Sequence, residues 1–300
     1  MKPLRPVPQC IDCLMSLAKN VVALSANKNQ ALVEEAEQIT RSILDHAGKI
    51  ELSSPQITNQ ILREIKKITG IDDPYADFKS QEMAQARLIF SRIKDFVRDD
   101  LQSRIRLAAL GNSLDFFKDP EQALSEIPAL FNTNFSFYFD HIHRLESVLA
   151  MRPQKLLYLT DNSGEIYFDI PLFDCLRKYA DKIYLVVKGG PALNDLTRVE
   201  LESAKLIDKF DTVVDTGTDG AGIDWDNVSN EFLDLLTSAD LIISKGMANF
   251  ETLFPKDITA PTFFLFKVKC EPIQNYIQAP LNSFQALWKE GNPSIHSVSR

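Results

Sequence analysis

The hydrophobic period changes partway along the chain, and this change does most to limit what the chain can fold into. From Lys155 onward, short apolar β-like runs (LLYL, KIYLVV, DTVVD, LIIS and TFFLF) alternate with segments long enough for helices. Strands joined through helices make right-handed crossovers, which give a parallel sheet covered on both faces. Up to about residue 112 the spacing is helical instead. Residues 11–24 and 29–46 carry apolar stripes, the second ending near Gly48; Ser54-Pro55 opens a further helix that Gly70 stops. After the turn-like IDDPYADFK, helical spacing resumes from Gln81 to about Leu110, and residues 104–150 also read as helical. The expected architecture is therefore α/β: a Rossmann-like α/β/α domain with a mostly parallel sheet over residues 111–300, plus an N-terminal all-helical module over residues 1–110.

In such sheets ligands gather at the carboxyl ends of the strands. Three of the apolar runs end in polar side chains: LLYLTDNSGE with Asp161, Asn162, Ser163, Gly164 and Glu165; LVVKGGPALND with Asn194 and Asp195; and LIISKGMANFE with Lys245, Gly246, Asn249 and Glu251. Two aspartates and an asparagine are oxygen donors that suit a hard divalent cation, which keeps further positions for water or substrate phosphate. Lys245 suits a phosphate oxygen. Each group also has a plainer reading: Asp161-Asn162 as a turn, Asn194-Asp195 as the cap of a helix starting at Leu196, and Lys245 as a solvated lysine. The cluster Gly111-Asn112 with Asp115 reads as a helix terminus, or as polar groups reaching across from the helical module.

A formal charge of -8 over 300 residues offers no broad attraction to nucleic acid or anionic membrane. No apolar run approaches a membrane span and the N-terminus lacks a signal-peptide core, so the expected location is cytoplasmic. The 4 cysteines are too scattered for a disulfide scaffold. Cys10 and Cys13 form a lone CxxC and Cys270 stands apart; packing is their first reading, a three-cysteine metal or redox cluster the alternative. The histidines assemble no nucleophilic triad, and neither a P-loop nor GxGxxG occurs. The pattern carries no signal for oligomeric state.

With these residues laid out, the chain resembles the metal-dependent damage-control phosphatase family, long catalogued as domain of unknown function 89 and related to the acidic residue methyltransferase proteins. The resemblance rests on CIDC, DPYADFK from Asp73, GNSLDF from Gly111, DNSGE from Asp161, Asn194-Asp195 and SKGMANFETL from Ser244. The CxxC and compact length look like the stand-alone microbial branch. The resemblance implies a helical module on a Rossmann-like domain and a divalent metal (Mn, Mg, Co or Ni) on Asp161, Asn162 and Asp195. It also implies substrate contacts from Asn112, Asp115, Lys245, Asn249 and Glu251. Ser163 replaces the alanine common in this motif and keeps the residue small.

The expected activity is metal-dependent hydrolysis of a small phosphorylated metabolite, with Asp161, Asn162, Asp195 and Lys245 at the chemistry. Backbone N–H groups around Ser163, Gly164 and Glu165, with Lys245 and Gly246, are expected to complete a phosphate cradle. The nucleophile stays open between a metal-activated water and an aspartate carboxylate. Ser163 in the second place of a would-be DxD counts against a haloacid-dehalogenase-like route. A non-catalytic binder of metal and phosphometabolite is the alternative, and the absence of a glycine-rich loop after the first strand speaks against a methyltransferase.

Overall fold

The computed structural model describes residues 6–25, 29–47, 52–112 and 136–292. Helices α1 (Pro8–Ser25), α2 (Gln30–Ala47) and α3 (Ser54–Thr69) form the first layer. They share a core of Leu14, Ala18, Val21, Val22, Ala36, Ile57, Ile61 and Ile65. Ser53, one residue earlier than expected, opens α3: its N–H and hydroxyl both donate to Gln56 Oε1 at 3.0 Å. Gly70 closes it in the left-handed conformation, φ +69°. The end of α2 expected at Gly48 lies outside the described residues.

The next two helices have different partners. The turn-like DPYADFK is largely helical, because α4 spans Ala76–Ile93. A short 3₁₀ turn separates it from α5 (Leu101–Gly111), which Asp100 caps by accepting from Ser103 N–H at 2.7 Å. Met83, Ala86, Ile89 and Ile93 of α4, with Ile105, Leu107 and Ala108 of α5, bury into the core of one sheet face. By packing, the first 110 residues thus divide into a three-helix layer and two helices laid on the sheet.

That sheet has seven strands: β1 (Phe137–Asp140), β2 (Lys155–Leu159), β3 (Lys182–Val187), β4 (Val213–Asp215), β5 (Leu241–Lys245), β6 (Thr262–Lys267) and β7 (Phe284–Lys289). Their order is β1-β7-β6-β5-β2-β3-β4. All neighbouring pairs are parallel except β6 with β7. Helices α6 (Ile142–Ala150), α7 (Ile166–Leu176), α8 (Arg198–Ser203), α9 (Asn230–Thr237), α10 (Met247–Leu253) and α11 (Glu271–Ile277) are the further helices among the described residues. The two faces carry separate cores, one with Leu156, Tyr158, Leu185 and Ile243, the other with Leu157, Leu159, Ile242 and Phe264. This alternation along each strand is what two-sided burial produces.

The expected mostly parallel α/β/α sheet is present. Residues 104–150 are not helical throughout, because Phe137–Asp140 forms an edge strand held on β7. The chain runs outward from β2 through β3 to β4 and then returns to β5 on the other side of β2. Such a reversal opens a crevice at the strand ends, here between β2 and β5.

Candidate active site

Residues 160–165 leave β2 at this crevice and are stitched to the loop after β3. Asn162 and Asp195 form an isolated antiparallel bridge. Leu196 N–H donates to Asp161 O at 2.9 Å, and Ser163 N–H donates to Asn194 O at 2.9 Å. These bonds bring the Asp161 and Asp195 carboxylates, 7% and 5% exposed, to one polar centre. Asn194-Asp195 does not cap a helix: α8 begins at Arg198, and Thr197 is its cap.

The centre is rich in acid. Burial, then the charges of Glu165 and Asp195, pushes the Asp161 carboxyl up to about 8. Burial likewise raises Asp195, although Lys188 opposes it. Asn112, at the end of α5, donates through Nδ2 to Asp161 Oδ2 at 2.8 Å and to Glu165 Oε1 at 2.7 Å, and its Oδ1 accepts from Lys267 N–H. Asn162 Nδ2 donates to the same Glu165 Oε1 at 2.8 Å, which turns its own carbonyl oxygen away from Glu165. Asp195 Oδ2 is buried with no hydrogen-bond partner and stands 3.5 Å from Lys188 Nζ.

Among the described residues no three side chains of histidine, cysteine, aspartate or glutamate gather as a metal cluster. The candidate set is instead two aspartates and an amide. Its chemistry fits a hard divalent ion: the donors are all oxygen, one buried carboxylate oxygen is orphaned, and acid charge exceeds its compensation. Gly246 adds a geometric condition. Its φ is +81°, and a Cβ there would lie 2.1 Å from the Asp161 carboxylate, so only glycine lets the β5 backbone approach this closely.

Lys245 sits elsewhere in the network than expected. Its ammonium is fully buried between Asp169 Oδ1 at 2.6 Å and Glu165 Oε2 at 3.0 Å. Those two acids hold it well above its ordinary pKa, and Asp169 is itself raised to about 6 by burial. Lys245 thus neutralises Glu165, just before α7, and Asp169, within it, and is not presented to solvent.

The expected backbone cradle is also unavailable, because its donors are in use. Ser163 N–H bonds Asn194 O and Glu165 N–H bonds Asn162 O, while Gly164 N–H lies close enough to the Glu82 carboxylate to favour its charged form. Asn249 is committed as well: its Nδ2 donates to Thr160 O and Lys245 O, and its Oδ1 accepts from Lys188. Asp115 lies outside the described residues.

Glu251, 9% exposed, lines a neighbouring cavity of about 470 Å³ between α1, α3 and the α/β layers. Cys10, Cys13, Met247, Lys269 and Cys270 share its wall, and all three cysteines are free. Burial alone pushes the Glu251 carboxyl up to about 8.

Four residues that the sequence reading passed over belong to this region. Lys188 precedes Gly189 as Lys245 precedes Gly246, so the same strand-end signal was present. Asp169 follows Glu165 by one helical turn, and both face Lys245. Lys269 is exposed, lines the cavity, and its charge reaches Asp161. Glu82 comes from the interior of α4, where no local pattern marks it.

A buried carboxylate centre at the switch point of a parallel sheet defines an α/β protein with a ligand site at its strand ends. Comparison with known proteins makes this specific. Residues 7–283 match the damage-control phosphatase ARMT1-like domain. A damage-control phosphatase of Pyrococcus horikoshii is 30% identical over 280 residues, covering 91% of this chain and 94% of that protein. Another, from Archaeoglobus fulgidus, is 28% identical over 272 residues, covering 89% and 93%. The crystal structure of a DUF89 family protein from P. horikoshii superposes with a TM-score of 0.86 at 28% identity, covering 94% of this chain and 98% of the other. The chain belongs to the ARMT1-like damage-control phosphatase family, and its activity class is phosphatase.

Proposed function

We propose that this phosphatase hydrolyses a small phosphate monoester at the β2–β5 crevice and depends on a divalent cation held by Asp161, Asn162 and Asp195. The observation that carries this reading is the Asn162–Asp195 backbone bridge, which joins the two loops carrying the buried Asp161 and Asp195 carboxylates, with Asp195 Oδ2 making no hydrogen bond and facing only Lys188 Nζ at 3.5 Å. A bound divalent ion supplies charge neutralisation for phosphoryl oxygens and lowers the pKa of water.

The protein's own residues do the rest. Asn112 and Glu165 orient Asp161 and Asn162 through the bonds described above, and Lys245 balances the acids behind them. Lys269 takes the phosphate-binding role expected of Lys245, because it is exposed at the cavity and makes no hydrogen bond or ion pair among the described residues. The cavity of about 470 Å³ receives the organic part of the substrate, with the Glu251 carboxyl protonated at neutral pH and able to donate to an oxygen. Among the described residues no helix is long and apolar enough to cross a membrane, and we assign the enzyme to the cytoplasm on its free cysteines.

The test is inorganic phosphate release from sugar phosphates, nucleotides, phosphopantetheine and an aryl phosphate, with EDTA and with separately added Mg²⁺, Mn²⁺, Co²⁺ and Ni²⁺. Turnover that EDTA removes and one of these ions restores is the expected result. Turnover insensitive to EDTA rejects the metal-dependent reading.

A further inference from the structure

Helix α4 belongs to the N-terminal half of the chain, yet it grips both loops that carry the proposed ligands. Glu82, 3% exposed, accepts from Asn194 Nδ2 at 3.3 Å on each carboxylate oxygen, next to Asp195 in sequence. The same helix packs against the turn Ser163–Glu165, in the loop that begins with Asp161 and Asn162, where the Gly164 backbone N–H favours the charged form of the Glu82 carboxylate.

One turn earlier, Lys79 makes a second attachment. Its ammonium, 1% exposed, pairs with Glu200 Oε1 at 2.6 Å and Asp73 Oδ2 at 2.7 Å. The other oxygen of Glu200 accepts from Thr197 N–H at 2.9 Å and Thr197 Oγ1 at 2.5 Å. Asp195 thus sits between two residues, Asn194 and Thr197, whose positions are both set from α4. This places the DPYADFK motif in a role: Asp73 and Lys79 hold the loop after β3.

We propose that Glu82 is a positioning residue, which fixes the separation of the Asp161 and Asp195 loops and so sets the enzyme's affinity for its divalent ion. The proposal rests on the metal reading given above. Glu82 touches neither candidate carboxylate; it acts through Gly164 and Asn194. Partners of this kind around a metal site govern affinity by about tenfold to a hundredfold when removed.

The experiment is Mn²⁺ titration of the full chain by calorimetry, with thermal unfolding of the same samples and kcat, KM and half-saturating metal measured on a phosphate ester. Glu82→Ala is expected to raise half-saturating Mn²⁺ by at least about tenfold, with KM for the ester at saturating metal changed less than twofold. Glu82→Gln, whose amide oxygen still accepts a hydrogen bond, is expected to recover most of the affinity. Asn194→Ala cuts the same link from the other side and is expected to weaken Mn²⁺ similarly, which keeps the test decisive if Glu82→Ala does not fold. Wild-type affinity in Glu82→Ala or Asn194→Ala, with only a lowered melting temperature, overturns the proposal. Wild-type protein that binds no Mn²⁺, or whose binding survives Asp161→Asn, overturns the metal reading, and the proposal falls with it.

Discussion

The backbone of Gly246 lies flat against the carboxylate of Asp161, so close that a Cβ at residue 246 would stand 2.1 Å from Cγ and Oδ2 of the aspartate. With φ +81° and ψ 161°, Gly246 also occupies a region closed to other residues. Gly246→Ala therefore has two costs: about 1–3 kcal/mol of backbone strain and displacement of Asp161. The expected outcome is a lower melting temperature together with loss of Mn²⁺ binding in the titration.

Asp161→Asn and Asp195→Asn keep the side-chain volume and remove the charge. Phosphate release at fixed metal is expected to fall more than about a hundredfold, beyond what loss of an outer partner of a metal site produces. Without metal, Asp161→Asn is expected to unfold no earlier than wild type at pH 8, because it deletes a buried carboxylate that strains against Glu165 and Asp195. A thermal scan alongside the assay separates lost chemistry from lost fold.

The two lysines of the site are expected to fail in opposite ways. Lys245→Met strands Glu165 and Asp169 in the interior and should cost about 3–5 kcal/mol, a fall in melting temperature on the order of 10 °C. Lys269→Ala should leave the melting temperature unchanged while raising KM for the phosphate ester. A Lys269→Ala enzyme with wild-type KM would remove Lys269 from phosphate binding.

Glu251 gives a stability test in pH. Its folded-state value is raised from 4.5 to about 8 by burial, so its contribution to stability is intact below the unfolded value and is lost as pH rises toward 8. Glu251→Gln removes that loss. Wild type and variant should unfold alike near pH 4.5, and at pH 8 the variant should be more stable by roughly 3–5 kcal/mol. Cys13 and Cys270, on the same cavity wall, are raised above their ordinary value and stay protonated across this window. Equal unfolding at both pH values would show that Glu251 finds a partner in solution.

Strands β2, β3, β5 and β6 were legible because strands buried on both faces read as continuous apolar runs, from LLYL in β2 to TFFLF in β6, and the edge strand β4 was legible from DTVVD. The other two strands, FYFD and FQALWK, mix polar and apolar residues and sit where the sheet turns antiparallel, so their pattern resembles amphipathic helix. The strand-end aspartates were visible for the same reason that β2 and β3 were. Whether a strand-end lysine faces solvent or closes an internal ion pair was not visible, since that depends on Glu165 and Asp169, some 80 residues away in sequence. The Glu82 contacts span 112 residues and leave no local trace.

The pairing of Lys245 with Glu165 and Asp169 also ties the order of synthesis to the order of burial. Glu165 and Asp169 emerge from the ribosome well before their cation, so until β5 is available α7 and the turn before it can settle on the sheet only with two uncompensated charges, a costly state. Insertion of β5 beside β2 supplies that cation, the Gly246 wall behind Asp161 and the central hydrogen bonds in a single event. A chain cut short before this strand would carry both proposed metal-binding aspartates and still lack a closed site, so catalytic competence arrives only when the molecule is nearly complete.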